Sequence, residues 1–307
     1  MILRIGTKES GFRYMDEITK QWITDLDEIK RINKLGIPPA YVDVRINKNP
    51  SAKILAYGFD SKGRKQIRYH PSFVEKQARK KFKRVLKMDD YMVSIEEQLA
   101  CDMSLPNDHE NKALAVVIGL IIQCGFRVGN EKYAKENNSY GITTFQCRHL
   151  TPLPNGNVHI KFIGKKGILN ESICEDSAIN RFLKYQLSKK GANDVVFDVK
   201  SHDVNVYLKK LCPSVDITSK DIRTWAANKL FVHFLAMDET KKAKNPIKMA
   251  AELVAKQLHN TPTICLKSYI VPMKKEKGEK TNKQIKKQIK TDKVVKIQMQ
   301  CKRSMLQ

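Results

Sequence analysis

A nearly continuous apolar run occurs near the middle of the chain, within the stretch NKALAVVIGLIIQCGF. It is shorter than the roughly 18 to 20 apolar residues that a membrane-spanning helix requires, so it predicts a helix buried in a folded core. The stretch SFVEKQARKKFKRVLKMDDYMVSIEEQLACDM has apolar residues at helical spacing, and helical patterns return from about Ala178 to Tyr269. These patterns predict a mainly α-helical domain over residues 76–273.

The preceding residues, 1–75, have a different pattern. Short β-rich runs such as YVDVRINK and KILAYGFD are separated by Gly, Pro and Asn, which indicates strands and turns. We also expect a helix within MDEITKQWITDLDEIKRINKLG, and a turn at residues 61–63 that leads into a strand. These residues therefore predict a small β-rich N-terminal domain.

A second sheet is expected inside the helical domain. The stretch GITTFQCRHLTPLPNGNVHIKFIGKKGI alternates around Pro-Asn-Gly, which is typical of a β-hairpin. The predicted fold class is α+β, with a β-rich domain at 1–75, a larger helical domain at 76–273 that contains the hairpin sheet, and a basic tail at 274–307.

The charge of the chain favours a polyanionic partner. The 307 residues include 57 Lys and Arg against 32 Asp and Glu, which gives a formal net charge of +25. An excess of this size attracts nucleic acid or an acidic membrane surface. The opening residues lack the apolar core of a secretory signal, so nucleic acid is the favoured partner. The tail carries twelve basic and three acidic residues, and both a DNA-contacting role and a solvated segment remain open for it.

The cysteine and glycine patterns predict no cofactor. Seven cysteines occur without CxxC or Cys/His ligand spacing, and the odd number favours reduced thiols in a cytosolic or nuclear compartment. Neither GxxxxGK(S/T) nor GxGxxG is present, so we expect no bound nucleotide and no metal. Any chemistry is therefore expected to come from side chains alone.

Three cationic positions lie beside predicted core elements. Arg127 follows the apolar run in CGFRVGNEKYAKEN, and Lys165 and Lys166 lie in the Gly-bounded turn of KFIGKKG. Arg223 lies near the start of a predicted helix in DIRTWAANKLF. Each has an ordinary explanation, since arginines at the end of apolar runs form ion pairs and turn lysines are commonly exposed. Taken separately, none of them identifies a site.

Tyr269 has two open interpretations. It ends the stretch LHNTPTICLKSYI, in which Thr261 is predicted as a helix N-cap and Pro262 as the first helical residue. On such a helix Tyr269 lies four residues after Cys265 and on the same face. It is either a core aromatic whose hydroxyl is hydrogen-bonded or a residue whose hydroxyl reacts.

In chain order, these segments resemble the type IB DNA topoisomerases, in particular the small poxvirus, giant-virus and bacterial branch. GFDSKGRKQIRYH is similar to an element of that branch's N-terminal domain. FRVGNEKYAKENNSYGITTF is similar to the segment with the first catalytic arginine, and IKFIGKKG to the hairpin with the catalytic lysine. KDIRTW resembles the segment of the second arginine, and NTPTICLKSY the segment that ends in the nucleophile. The resemblance covers nearly the whole chain before the tail.

The resemblance implies a C-shaped clamp around duplex DNA and a known reaction. The tyrosine hydroxyl attacks a phosphodiester, which gives a 3′-phosphotyrosyl bond and frees a 5′-hydroxyl strand. That strand swivels and then reseals the break, so the reaction needs no ATP. The implied catalytic residues are Tyr269, Arg127, Lys165, Arg223 and Asn260.

The implied roles follow from the charge of the transition state. Arg127 and Arg223 hold the non-bridging oxygens with guanidinium groups that stay protonated. Asn260 supplies a neutral donor where poxvirus enzymes have histidine, and His259 is expected off the site. Lys165 delivers a proton to the leaving 5′ oxygen. No residue can be named as the base for the tyrosine.

The resemblance also implies partners. Ile67 replaces a tyrosine of poxvirus enzymes, which puts their preference for a short pyrimidine-rich site in doubt. We expect double-stranded DNA as the partner, a monomer, and no membrane or nucleotide. The expected location is the virion and host-cell cytoplasm for a viral protein, and otherwise the cytoplasm or nucleoid. The residues expected to contact DNA are Lys62, Arg64, Lys65, Arg68, Tyr69, Lys132 and Tyr133.

Two rival interpretations remain. A tyrosine recombinase shares this chemistry, but recombinases usually place a histidine three residues before their second arginine, where this chain has Lys220. A non-catalytic basic DNA-binding protein would account for the charge, but it would need none of the five matching segments.

Overall fold

The computed structural model describes residues 1–272, so the tail expected over residues 274–307 lies outside the described residues. The protein has two compact units, Met1–Lys81 and a larger one that begins at Phe82. The division expected after residue 75 lies within a helix, Pro71–Lys87, which extends past the end of the first unit. No helix within residues 1–272 is long and apolar enough to cross a bilayer.

The first unit contains a five-stranded antiparallel sheet in which the strand order is β2-β1-β3-β4-β5. The side chains of Ile2, Ile32 and Ile46 are among those that form its core. The turn expected at residues 61–63 leads into the last strand, as predicted. The elements of this unit are β1 Ile2–Thr7, β2 Gly11–Asp16, α1 Leu26–Lys34, β3 Val42–Ile46, β4 Ile54–Phe59 and β5 Lys65–Tyr69.

The helix expected within residues 15–36 occupies only the second half of that stretch. The carboxylate of Asp16 accepts the N–H groups of Ile18 and Thr19, and this tight turn ends β2. Asp25 then begins α1 by accepting the N–H of Asp27. Because aspartate side chains bind nearby backbone N–H groups, Asp16 competes with the helix that periodicity alone predicts.

The second unit is mainly helical, as expected. The apolar run forms α4, in which Val116, Val117 and Ile118 are fully buried, so the prediction of a buried helix is confirmed. The remaining helices within residues 1–272, of which α2 begins in the first unit, are α2 Pro71–Lys87, α3 Asp89–Ser104, α4 Glu110–Cys124, α5 Glu131–Asn137, α6 Ser177–Lys189, α7 Ser201–Leu211, α8 Ser219–Ala236, α9 Asp238–Lys242, α10 Pro246–Gln257 and α11 Pro262–Ser268.

A three-stranded antiparallel sheet is inserted between α5 and α6, and its strand order is β6-β7-β8. The strands are β6 Leu150–Pro152, β7 Val158–Ile163 and β8 Leu169–Cys174. The Pro-Asn-Gly turn joins β6 to β7, which confirms the predicted hairpin. A second turn joins β7 to β8, and this turn carries Lys165.

Candidate active site

Tyr269 directly follows α11. Thr261 caps this helix by accepting the N–H of Ile264, and Pro262 takes its first position, as the Thr-Pro pair predicted. The helix ends at Ser268, one residue before Tyr269. The tyrosine is 9% exposed and packs in an apolar cluster formed by α8, α10 and α11. A tyrosine hydroxyl that is buried in this way requires a hydrogen-bond partner.

Arg223 supplies that partner from a position near the start of α8. Its Nη1 donates to the Tyr269 hydroxyl at 3.3 Å, and its Nη2 donates to the carbonyl oxygen of Leu258. Burial lowers the pKa of Arg223 to about 10, so the guanidinium is protonated at neutral pH. Its Nε is buried and has no hydrogen-bond partner within residues 1–272.

The main chain of Tyr269 is bound to the same helix. Asn228, on α8, donates through Nδ2 to the carbonyl oxygen of Tyr269 at 2.7 Å. Its Oδ1 accepts the N–H of Val271 at 2.8 Å. One helix therefore carries Arg223 and also holds the backbone that directly follows the tyrosine's side chain. Asn228 was not predicted from the sequence, because an asparagine inside a helical pattern gives no distinctive signal.

Arg127 lies beyond the end of α4. Gly125 ends this helix with a φ of 62°, a left-handed conformation that glycine adopts readily. A Cβ at this position would lie 2.6 Å from the carbonyl oxygen of Gln257, so the two backbones are in close contact. Burial is the main cause of the low pKa of Arg223, and the positive charge of Arg127 lowers that pKa further. The two guanidinium groups therefore influence each other. The Nη1 of Arg127 is buried without a partner in the described part of the chain.

Asn260 lies in the turn between α10 and α11. Its backbone N–H donates to the carbonyl oxygen of Ala255, and its Oδ1 accepts the N–H of Thr261. The remaining polar atom of the side chain, Nδ2, is buried and has no hydrogen-bond partner among residues 1–272. Leu258, which binds Arg223 through its carbonyl oxygen, is two residues earlier in the same turn. Asn260 is therefore brought close to the Arg223–Tyr269 pair.

His259 is not hydrogen-bonded to Tyr269 within residues 1–272. Its ring stacks on Phe126 with ring centres 5.1 Å apart, and its Nε2 donates to the carbonyl oxygen of Cys124 at 3.3 Å. The imidazole is therefore directed toward the residues that precede Arg127.

Lys165 lies in the turn between β7 and β8, where both it and Lys166 are exposed. The turn is shaped by Asn170, which is 1% exposed and donates through Nδ2 to the carbonyl oxygen of Ile168. The same amide fills the space beside Gly164, where a Cβ would lie 2.2 Å from Nδ2. No hydrogen bond or ion pair within residues 1–272 joins Lys165 to the other four predicted catalytic residues. The structure thus joins Tyr269 to Arg223, places Arg127 within electrostatic range of Arg223, and puts Asn260 in the turn whose Leu258 carbonyl binds Arg223. Lys165 lies on a separate turn that Asn170 supports.

Among the residues predicted to contact DNA, Arg64 is held by an acidic neighbour. Its Nε and Nη2 donate to the Asp60 carboxylate at 2.9 and 2.7 Å. Hydrogen bonds, first of all those from Arg64, lower the pKa of Asp60 to about 2. The same carboxylate accepts the backbone N–H of Lys62, which is exposed on this turn. Arg64 therefore helps to stabilise the turn that precedes β5.

The other predicted DNA-contacting residues are exposed. On β5, the Lys65 ammonium lies 3.9 Å from the centre of the Tyr57 ring, and Arg68 donates to the carbonyl oxygen of Gly36. The exposed side chain of Tyr69 ends the same strand. The remaining two, Lys132 and Tyr133, are exposed on α5.

Comparisons with known proteins show the family of the chain. The family described as "Eukaryotic DNA topoisomerase I, catalytic core" matches residues 61–296, and "Bacterial DNA topoisomerase IB, N-terminal domain" matches residues 11–60. DNA topoisomerase 1B of Acanthamoeba polyphaga mimivirus is 32% identical over 263 residues, which cover 80% of this chain and 78% of the relative. DNA topoisomerase 1B of vaccinia virus (strain Copenhagen) is 25% identical over 237 residues, 74% of each chain.

The family matches together span residues 11–296, which include most of the β-rich unit, the described part of the helical unit and every predicted catalytic residue. The resemblance inferred from the motifs is thus confirmed, and neither a recombinase nor a non-catalytic DNA-binding protein needs to be considered further. The chain belongs to the type IB DNA topoisomerases, enzymes that relax supercoiled DNA by transient single-strand cleavage through a 3′-phosphotyrosyl intermediate and by religation.

Proposed function

We propose that Tyr269 is the nucleophile of this topoisomerase and that Arg127, Arg223 and Asn260 bind the non-bridging oxygens of the scissile phosphodiester. One observation supports this assignment above all: each of the three has a buried side-chain nitrogen, respectively Nη1, Nε and Nδ2, without a partner within residues 1–272. Buried donors are nearly always paired, and an unpaired one costs about 1–3 kcal/mol. A phosphodiester, which is anionic and offers several acceptor oxygens, suits all three.

The proposed cleavage step forms one bond and breaks another. The phenolic oxygen of Tyr269 loses its proton to solvent and bonds to phosphorus, the bond from phosphorus to the 5′ oxygen breaks, and that oxygen takes up a proton, so no proton is gained or lost overall. Arg223 has two parts in this step, because it also donates to the tyrosine hydroxyl and so stabilises negative charge that develops there. Religation is the reverse reaction, in which the 5′ hydroxyl attacks the phosphotyrosyl bond.

Lys165 is proposed as the acid that protonates the leaving 5′ oxygen. An alkoxide is a poor leaving group, so proton transfer in the transition state contributes strongly to the rate. Exposure of Lys165 on a turn that Asn170 fixes supports this role, because the ammonium is accessible to a bound strand.

Duplex DNA is proposed to contact the exposed basic and aromatic side chains on β5 and α5, and Lys62 on the preceding turn. Most of these contacts go to phosphates, which position the protein without reading sequence. Arg64 contributes with a charge that Asp60 partly neutralises. The residues assigned to DNA contact remain Lys62, Arg64, Lys65, Arg68, Tyr69, Lys132 and Tyr133.

The protein is further proposed to act as a monomer and without a nucleotide. All five proposed catalytic residues belong to one chain, and the phosphotyrosyl bond conserves the energy needed for religation. The clamp around DNA stays a prediction. The mimivirus and vaccinia relatives support a viral source and a place in the virion and the host-cell cytoplasm.

The experiment that tests the assignment is Tyr269→Phe, which keeps the ring in its cluster and removes only the hydroxyl. We expect no covalent adduct after denaturant trapping on supercoiled plasmid, no relaxation, and unchanged DNA binding. Tyr207→Phe is the matched control, because Tyr207 is also buried and its hydroxyl donates to Asp102. It should lose stability but keep cleavage. Relaxation by Tyr269→Phe at the parent rate would disprove the assignment.

A further inference from the structure

The turn between α10 and α11 is joined to the end of α4 by several contacts. Gln257 donates through Nε2 to the carbonyl oxygen of Gln123 at 3.0 Å, and His259 donates to that of Cys124. Gly125 lies so close to this turn that no side chain would fit there. These contacts bring together two segments that are distant in sequence, one leading to Arg127 and the other to Asn260.

His259 has an unfavourable backbone conformation within this junction. Its φ is 48°, in the left-handed region that glycine and asparagine tolerate better than other residues. Such residues persist where surrounding contacts determine the conformation, and they are frequent at functional sites. The unfavourable backbone at position 259 indicates that the imidazole makes stabilising contacts. Glycine or asparagine would suit the backbone better but would lose those contacts.

The ring of His259 provides such contacts. It is stacked on Phe126 with an interplanar angle of 26°, and Phe126 also packs edge-on against Phe162 with ring centres 5.0 Å apart. Phe126 is the neighbour of Arg127, and Phe162 lies on β7, the strand that leads into the turn of Lys165. The imidazole is thus the first member of a row of three rings that connects the segments carrying the proposed site residues.

The charge state of His259 suits this position. Burial, with smaller effects from Arg223 and Arg127, lowers its pKa to about 4, while the hydrogen bond to Cys124 and the charge of Glu171 oppose the shift. The ring is therefore neutral at neutral pH and carries its proton on Nε2, because a carbonyl oxygen can only accept. A neutral ring can stay beside two guanidinium groups without adding a third positive charge.

We propose that His259 is a positioning residue that holds the turn of Asn260 against the segment of Arg127, so that their buried donors converge on one phosphate. The proposal rests on the phosphate-binding roles proposed above for these two residues. His259 itself does not touch the reacting atoms. It acts through the hydrogen bond to Cys124 and the stacking on Phe126.

The test uses two substitutions that suit the left-handed backbone but lack the ring, His259→Gly and His259→Asn. The full-length variants are mixed in excess with supercoiled plasmid, and the rate of formation of the denaturant-trapped adduct is measured together with DNA affinity. We expect both variants to cleave about 10-fold more slowly, with unchanged affinity, because small misplacements of binding groups affect the chemical step. Thermal unfolding of each variant verifies that it is folded at the assay temperature.

His149→Asn is the control for the loss of a buried imidazole. Burial also lowers the pKa of His149 to about 4, and its ring packs against Tyr140 with ring centres 4.7 Å apart and, at 6.2 Å, against Phe162 at the far end of the row of rings. Since it makes no recorded contact with residues 257–260 in the described chain, we expect cleavage at the parent rate. Slow cleavage by this control, equal to that of the His259 variants, would overturn the proposal.

A double substitution separates this proposal from the proposed function. If His259 acts through its neighbour, the effects of His259→Gly and Asn260→Ala on cleavage are less than multiplicative when combined. Parent-like cleavage by both single His259 variants, or multiplicative effects, would overturn the positioning role and leave the phosphate role of Asn260 intact. Parent-like cleavage by Asn260→Ala alone would overturn the phosphate role and the positioning role together.

Discussion

The Nη1 of Arg223 donates to the hydroxyl of Tyr269 across 3.3 Å, while the Nη2 of the same guanidinium donates to the carbonyl oxygen of Leu258. One planar group thus links α8 to the tyrosine and to the turn that precedes α11. Nε has no partner within residues 1–272 and is the donor that we propose for a phosphate oxygen. An ammonium group cannot provide this arrangement, because it lacks the fixed planar fork.

Arg223→Lys is therefore expected to reduce cleavage by about 10²–10³-fold, the usual cost of losing an oxyanion-type donor. The charge is kept, so DNA affinity should change little. Single-turnover adduct formation on plasmid DNA measures the rate. Arg148→Lys is the matched control, because Arg148 also donates to a tyrosine hydroxyl, that of Tyr140 at 3.2 Å, and this variant should cleave normally. Comparable cleavage by the two variants would show that the fork of Arg223 is not needed.

Lys165→Ala should cut cleavage by about 10²–10⁴-fold, because an ordinary 5′-alkoxide needs a proton to depart. A duplex with sulfur in place of the bridging 5′ oxygen, built at a cleavage site mapped on plasmid DNA, releases a thiolate that needs none. Lys165→Ala should cleave this duplex nearly as fast as the parent, and Lys166→Ala should be mild on both duplexes. If the sulfur substitution rescues Lys166→Ala and not Lys165→Ala, the acid is Lys166. If it rescues neither variant, neither lysine is the acid.

Asn170→Ala should reproduce the behaviour of Lys165→Ala to a smaller degree, since Asn170 fixes the turn that holds the lysine. We expect slower cleavage of the ordinary duplex and recovery on the sulfur-containing one. Ser172→Ala is the control, because Ser172 is buried two residues further along the same strand. Slow cleavage of both duplexes by Asn170→Ala would indicate general damage to the fold and not a displaced acid.

Stability should depend on pH through His259. Its pKa of about 4 in the folded protein lies below the ordinary value of 6.5, so the unfolded chain binds more protons between these values. The stabilisation is therefore present above pH 6.5 and is lost as the pH falls toward 4, by up to about 3 kcal/mol. Urea unfolding between pH 4.5 and 7.5 should show a smaller change with pH for His259→Asn than for the parent.

The comparison with His259→Asn is needed because Glu96 changes the stability with pH in the opposite direction. Burial raises the pKa of Glu96 to about 7, so its contribution to stability falls as the pH rises through that value. Glu96 is present in both proteins, and the difference between their pH profiles isolates the histidine. Identical profiles would contradict a neutral, buried His259.

The sequence predicted those parts of the fold in which local chemistry and periodicity agree. The apolar run of α4, the Pro-Asn-Gly hairpin and the Thr-Pro start of α11 each have one dominant signal. The stretch before α1 was misjudged because the Asp16 carboxylate competes for backbone N–H groups that a helix would use. The mainly helical composition of the second unit followed from a long series of such local patterns.

The site was predictable in part for a different reason. The identities of Arg127, Arg223, Asn260 and Tyr269 came from resemblance, whereas their convergence depends on contacts between segments far apart in the chain. The left-handed conformation of His259 leaves no trace in composition or spacing. The pairing of Arg64 with Asp60 was likewise missed, because charged residues four apart in a turn are unremarkable in sequence.

The two hydrogen bonds between Asn228 and the backbone after the Tyr269 side chain have a mechanical consequence. If Tyr269 is the nucleophile, as proposed, the rotating duplex pulls on its side chain, and hence on its main chain, while the cut strand is attached. The carbonyl oxygen of this residue and the N–H of Val271 are both bound to Asn228. The load thus passes directly into an 18-residue helix packed in the core, and not only into the seven-residue helix that ends at Ser268. A tether of this kind lets torque drive strand rotation while the 3′ end stays in register for resealing.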